Sequence, residues 1–323
     1  MDSKSTTALE QGGARVLVTG ATGYVGANVV AALLADPRVA GVVAGVRDPG
    51  AGEALAAALG SPGRLSLAVG SLPEHPWALE GVDTLVHGAG VRPGADADDT
   101  RVLVVNQEGT RRLLEGIPAS GVGRVVFVSA QSVYGWQRRP PHRETQPPRP
   151  QTTYGVSKWV GEFLCRSLPP GIAVASLRLA RVYGLGIGHR LVWTRMPHRF
   201  ALLAARGETI PVFGDGEQRL DLVHVSDVAD AVCRAALGRP AERRAVLNVG
   251  GGDPVPVLRI AELCRRAAVE AGRSAPEIAA VPEATDRAPD FGLDIERARR
   301  VLGWEPARQP SDGLRELVLA AAR

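Results

Sequence analysis

From Arg15 to about Leu179, short apolar runs alternate with longer stretches whose apolar residues recur at helical spacing. RVLVTG, VVAGV, LSLAV, VDTLVHGAG, RVVFVSA and IAVASLRL have the length of strands, and a helix is predicted from Val25 to Leu34 after the first of them. Val and Leu run continuously through these strands instead of alternating with polar residues. That pattern predicts burial on both faces, hence a parallel sheet covered by helices. With right-handed crossovers the class is α/β, a doubly wound sheet.

After Tyr183 the rhythm changes. GLGIGHR is a Gly-rich break, Val192 to Arg206 is predicted helical, and PVFGDGEQRL reads as a turn-rich segment. DLVHV and SDVADAVCRAAL then predict a strand and a helix returning to the sheet, capped by Ser226 or Asp227, and AVLNVG is one more strand. The rest, to Arg323, predicts two or three helices around LDIERARRVLGWEP. The expected organisation is a flexible tail over 1–13, the doubly wound domain over 14–182 plus 222–250, and a smaller, mainly helical domain over 183–221 plus 251–323.

Composition narrows the class without changing it. At 45% hydrophobic and 22% charged residues the chain reads as an ordinary globular protein. No apolar run reaches the length of a membrane span, and MDSKSTTALEQGGA has no signal pattern, so no membrane association and a cytoplasmic location are expected. The net charge of +4 comes from Arg scattered among acids, and RRPPHR at 138–143 is short and Pro-broken, so no nucleic-acid partner is expected. Cys165, Cys233 and Cys264 each sit in an apolar helical pattern and read as core residues; no metal site is expected.

TGATGYVGANV, residues 19–29, puts Gly20, Gly23 and Gly26 between the first strand and the first helix. Gly20 permits a tight turn, Gly23 lets backbone approach a pyrophosphate, and Gly26 lets helix and strand pack closely. The helix N-terminus then offers N–H groups to the anion. In this strand-turn-helix context the loop predicts a Rossmann-type dinucleotide site. At the end of the second strand, AGVRDPG has Val46 where an acid would accept ribose hydroxyls, followed by Arg47, which can pair with a 2′-phosphate. NADP(H) is therefore expected over NAD(H), with Asp48 the residue that would take the ribose role if NAD(H) binds.

Of 38 basic residues only Lys4 and Lys158 are lysine; the other 36 are arginine. Lys158 follows Tyr154 by four residues in YGVSK, so on a helix the two share a face. A phenol with a pKa of ~10 is a poor acid-base catalyst at neutral pH, and a nearby cation favours its phenolate. Tyr154 can then exchange a proton with a carbonyl or alcohol. Lys158 supplies a compact charge that also reaches a cofactor ribose, which the broad guanidinium fork does not.

With TGATGYVG, VDTLVHGAG, NQEGTRRLL, VVFVSAQSVYG, YGVSK, LRLARVYG, FGDGEQRLDLVHVSDVADAV and ARRVLGWEP in that order, nearly the whole chain resembles the extended short-chain dehydrogenase/reductases, in particular the NAD-dependent epimerase/dehydratase family. The resemblance implies cofactor contacts from Thr22, Tyr24 and Val25 in the Gly loop, from Gly88, Ala89 and Gly90, and from Val182. It implies a tie between helix and sheet at Asn106, a nucleotide-sugar substrate and a homodimer formed through a helix pair. Three departures stand out. The family's third catalytic hydroxyl falls at Ala130, with Ser129 and Ser132 beside it as candidate substitutes; otherwise the substrate or a water supplies the bond. Within that first departure, Gln131 and Ser132 also replace the acidic pair of the 4,6-dehydratases, which argues against sugar dehydration. The Arg that grips the substrate diphosphate falls at Leu220, with Arg219 one residue early and so on the other face of a regular strand, unless an irregular segment brings it round. Thirdly, Ser71 stands where an Asp often meets the adenine. Arg92, Arg181 and Arg287 are the remaining candidate anion partners. The leading expectation is a ketoreductase of nucleotide-activated sugars; the alternatives are a 4-epimerase with retained cofactor and a cofactor-binding sensor or scaffold that has lost its chemistry.

Overall fold

A computed structural model describes residues 13–94, 97–136, 139–189, 196–238, 242–282 and 290–322. The N-terminal tail, part of RRPPHR, the start of the helix expected from Val192, and Arg287 lie outside the described residues.

Seven parallel strands form the central sheet: β1 (Ala14–Thr19), β2 (Val39–Val46), β3 (Leu65–Val69), β4 (Thr84–His87), β5 (Arg124–Ala130), β6 (Ala173–Leu179) and β11 (Arg244–Val249), in the order β11-β6-β5-β4-β1-β2-β3. The order reverses between β1 and β4, which opens a crevice at the carboxyl ends of the strands. Continuous apolar runs have the expected cause. In β1, Val16 and Val18 enter the core on one face and Leu17 the core on the other. The first face carries α1 (Tyr24–Ala35) and α7 (Val225–Leu237), packed on each other. The second carries α3 (Asp99–Leu103), a π-helical turn at Val104–Glu108, α4 (Gly109–Glu115) and α5 (Thr153–Arg166). Helix α2 (Pro49–Ala58) follows β2.

A third apolar core joins α6 (His198–Arg206), α8 (Val257–Glu270) and α10 (Pro310–Ala321); α9 (Glu296–Leu302) packs toward the first core instead. Two details differ from expectation. The turn-rich segment contains β8 (Ile210–Phe213), paired in parallel with β13 (Ile278–Val281), and β9 (Arg219–Leu220), paired antiparallel with β12 (Val255–Pro256). Helix α7 is capped by neither Ser226 nor Asp227: β10 (Leu222–His224) runs straight into the helix, and the His224 ring accepts from the Ser226 N–H at 3.3 Å. Asp227 instead accepts from the Arg308 N–H at 3.1 Å, fastening the C-terminal segment. Cys165, Cys233 and Cys264 are buried thiols. No described helix is long and apolar enough to cross a membrane, and no group of described side chains has a metal-binding arrangement.

Candidate active site

At the crevice the Gly loop is shaped by close backbone approach. Gly20 has φ of +72°, and a Cβ there would sit 2.9 Å from the Gly88 carbonyl. A Cβ on Gly26 would lie 2.0 Å from the Gly20 oxygen, so α1 can start this close to β1 only with glycine at both positions. No side chain caps Gly23 at the start of α1, which leaves first-turn N–H groups for an anion. Gly20, Gly23, Tyr24, Val25 and Gly26 line one wall of a cavity of about 450 Å³. Tyr24 is tied to the far side of the crevice, its hydroxyl donating to the Gly184 carbonyl at 2.6 Å, and burial raises its pKa well above the usual phenol range.

The second wall is the turn after β4. Buried His87 bridges Thr19 at 2.8 Å and Thr110 at 2.9 Å, and burial pushes its pKa down to about 3, so the ring is neutral. Thr19 also accepts from the Ala89 N–H at 3.2 Å. Asn106, in the π turn, accepts from Val91 N–H at 2.8 Å and donates to Val91 O at 2.9 Å and to Ser157 Oγ at 3.0 Å. Gly88 and Gly90 thereby face the cavity, with Arg92 beyond them.

Tyr154 and Lys158 stand on the first turns of α5. Thr152 caps that helix by accepting from the Gly155 N–H at 3.1 Å. Gly161 lets it lie against β5, since a Cβ there would be 2.3 Å from the Phe127 ring. Lys158 is buried; its ammonium donates to Val128 O at 2.9 Å and lies 5.8 Å from the Tyr154 ring centroid. Burial holds its pKa below the ordinary lysine value; the nearby phenol opposes that shift and Arg92 adds to it. Arg92 places its guanidinium 4.7 Å from the centroid of the same phenol ring.

The residues around Ala130, Ser129 included, all line the cavity and divide by their hydrogen bonds. Ser129 donates to Glu162 at 2.5 Å, and Glu162 is gripped by Arg178 through two bonds of 2.9 and 2.7 Å, so this hydroxyl is committed to a buried ion pair. Ser132 lies in the 3-10 turn Gln131–Val133; its buried hydroxyl has no hydrogen-bond partner among the described residues, nor has the Gln131 side-chain oxygen, and both residues line the cavity with Ala130. Of the two candidate substitutes, only Ser132 has its hydroxyl available. Glu162 and Arg178 had no signal in sequence, where a charged pair on different elements looks like two surface charges.

The other candidates separate in the same way. Arg181, on β7 (Arg181–Tyr183), and Val182 line the cavity. Arg219, on β9 (Arg219–Leu220), does not: it is exposed and donates to Pro254 O at 3.1 Å. The one-residue offset from Leu220, itself buried in the third core, accounts for this, because adjacent strand residues face opposite ways. Arg47 is exposed just past β2, and Thr22 and Ala89 lie outside the cavity lining.

The family model of the NAD dependent epimerase/dehydratase family matches residues 16–250. UDP-glucose 4-epimerase of Mycolicibacterium smegmatis is 32% identical, over 94% of this chain and 97% of its own. The dTDP-6-deoxy-L-talose 4-dehydrogenase (NAD(P)(+)) of Kitasatospora kifunensis is also 32% identical, over 94% of each chain. Among solved structures, MoeE5 in complex with UDP-glucose and NAD superposes with a TM-score of 0.76 at 30% identity, covering 95% of this chain and 98% of that one.

Proposed function

The chain belongs to the NAD dependent epimerase/dehydratase family, and we propose that it is an NADP(H)-using oxidoreductase that reduces a keto group of a nucleotide-activated sugar, with Tyr154 as proton donor. The observation that carries this reading is the placement of Tyr154 over buried Lys158 at the carboxyl edge of the sheet, across one cavity from the uncapped start of α1. The Gly loop and Gly88–Gly90 would hold the dinucleotide, with Lys158 on its ribose. When bound, the nicotinamide supplies the hydride. The protein's own part is to place the sugar oxygen at Tyr154, deliver the proton and hold charge nearby. Ser132 is the hydroxyl that orients that oxygen in place of the one missing at Ala130.

Two assignments carry their own tests. Val46 is buried where an acid would meet the ribose, and the Asp48 carboxylate is occupied, accepting from the Gly50 N–H at 3.0 Å as the cap of α2. Arg47 is then the charged group left for a 2′-phosphate. NADPH is expected to bind tighter than NADH, and Arg47→Ala to cut NADPH affinity about tenfold, as for loss of one charge-assisted bond of ~1.5 kcal/mol or more; equal affinities in the wild type refute the preference. Ser132→Ala is expected to lower kcat about tenfold, the worth of one lost hydrogen bond in the transition state. Steady-state rates unchanged in that variant would remove Ser132 from the site.

The function itself is tested by incubating the protein and NADPH with nucleotide-linked 4-keto sugars while following nicotinamide absorbance; no turnover by the wild type, with cofactor bound, counts against it. The relationship to a UDP-glucose 4-epimerase at 32% identity favours a second reading, inversion at C4 with retained cofactor. Co-purified oxidised cofactor and sugar inversion without net NADPH consumption would select it. The scaffold alternative draws support from Ala130 alone, against a retained Tyr154 and Lys158.

A further inference from the structure

The cavity around Tyr154 is lined by positive charge and, among the described residues, by no carboxylate. Lys158, Arg92 and Arg181 are its cationic side chains, and Tyr24 and His198 are its other titratable groups. Glu162, farther along α5, is held by Arg178 and Ser129, and the buried His87 ring is neutral. Two of the cations meet the phenol of Tyr154 itself. The Lys158 ammonium, from the same helix, lies 5.8 Å from the ring centroid; the Arg92 guanidinium, from the segment after β4, lies closer, over the ring at 4.7 Å.

The two cations differ in kind. Lys158 is buried, and burial, with Arg92 adding to it, holds its pKa below the ordinary lysine value, so its charge depends on its surroundings. Arg92 is exposed where it lines the cavity, and its charge is permanent, since arginine does not deprotonate in proteins. A cation over an aromatic face is already attracted by the ring, and the attraction grows when the ring becomes a phenolate. That is the change Tyr154 undergoes when its hydroxyl gives a proton to the sugar oxygen. Resting on the reading of Tyr154 as the acid-base group, we propose that Arg92 is its second electrostatic partner, a fixed cation that stabilises the phenolate from the ring face beside Lys158. Arg92 acts through Tyr154, and its exposure sets the scale. Water and salt screen an exposed charge, so its share is smaller than that of Lys158 and falls as ionic strength rises.

Tyrosinate absorbance, followed as pH rises, tests this with no substrate present. The chain has four tyrosines, and burial pushes Tyr134 up to about 12 and holds Tyr24 and Tyr183 above the usual phenol range. The first phenol to ionise is therefore expected to be Tyr154, in a step that Tyr154→Phe removes while circular dichroism shows the fold intact. Arg92→Ala and Arg92→Gln should move that step to higher pH by about half a unit, the scale of one exposed charge contact. Arg92→Lys should restore most of the shift, and added salt should shrink it. A step indifferent to both neutral variants, a step moved to lower pH, or no early step that Tyr154→Phe removes overturns the proposal; an Arg92→Ala effect confined to KM, with the step unmoved, makes Arg92 a substrate contact instead. The two readings fail separately. Tyr154-dependent turnover with a phenol step indifferent to Arg92 leaves the oxidoreductase standing and removes the second cation; an Arg92-dependent step with no turnover of any keto sugar does the reverse.

Discussion

Tyr154→Phe is expected to lower kcat by ~10²- to 10⁴-fold while leaving the fold and cofactor binding in place, the range over which a positioned acid-base group acts. The change deletes one oxygen at the end of a ring whose face meets the cations of Arg92 and Lys158. Arg92 still has an aromatic face at its 4.7 Å separation, and Lys158 keeps its bond to Val128 O. The loss should therefore appear in kcat more than in KM, since the proton is needed only as the sugar oxygen changes charge. Nicotinamide fluorescence on titration should be unaltered. A variant within threefold of the wild type would mean that the proton comes from elsewhere, and would take the role of Lys158 down with it.

The parts of this protein legible in its sequence are those set by local pattern. Apolar runs such as VVAGV and RVVFVSA mark strands buried on both faces, and the Gly spacing in TGATGYVG marks a backbone approach so tight that a Cβ on Gly26 would meet the Gly20 oxygen at 2.0 Å. Parts that depend on distant chain segments were not legible. Strand β8 pairs with β13 from the far end of the chain, and its Pro and Gly neighbours disguise it as a turn. Ser129 and Ser132 flank Ala130 and are equivalent by spacing. What separates them is Glu162 on α5 and Arg178 on β6, a buried ion pair that claims the first hydroxyl and leaves the second facing the cavity. The Arg219 offset, in contrast, was readable, because strand alternation makes a one-residue shift a change of face.

Lys158→Arg is expected to cost as much as the loss of the charge, ~10²-fold or more in kcat, although it keeps the charge and is the substitution this chain makes nearly everywhere else. The ammonium occupies a closed place: the residue is 6% exposed, its nitrogen lies 5.1 Å from the Phe127 ring centroid and 5.8 Å from that of Tyr154, and Val128 O takes one of its protons at 2.9 Å. Such a box holds a point charge and not a planar fork, so a guanidinium must either push β5 away or swing its charge from beneath the phenol. Burial sharpens the difference, because it already holds the Lys158 pKa below its usual value, and a lysine can adjust its protonation where an arginine cannot. With the cation displaced, the phenolate loses its support and the basic limb of the pH-rate profile should move to higher pH. Lys158→Met should show the same shift with less disturbance of the fold, and cofactor affinity should fall in both variants as the ribose contact is lost. If Lys158→Arg instead keeps full activity with an unmoved profile, the near-exclusive use of arginine elsewhere in the chain has no chemical exception here.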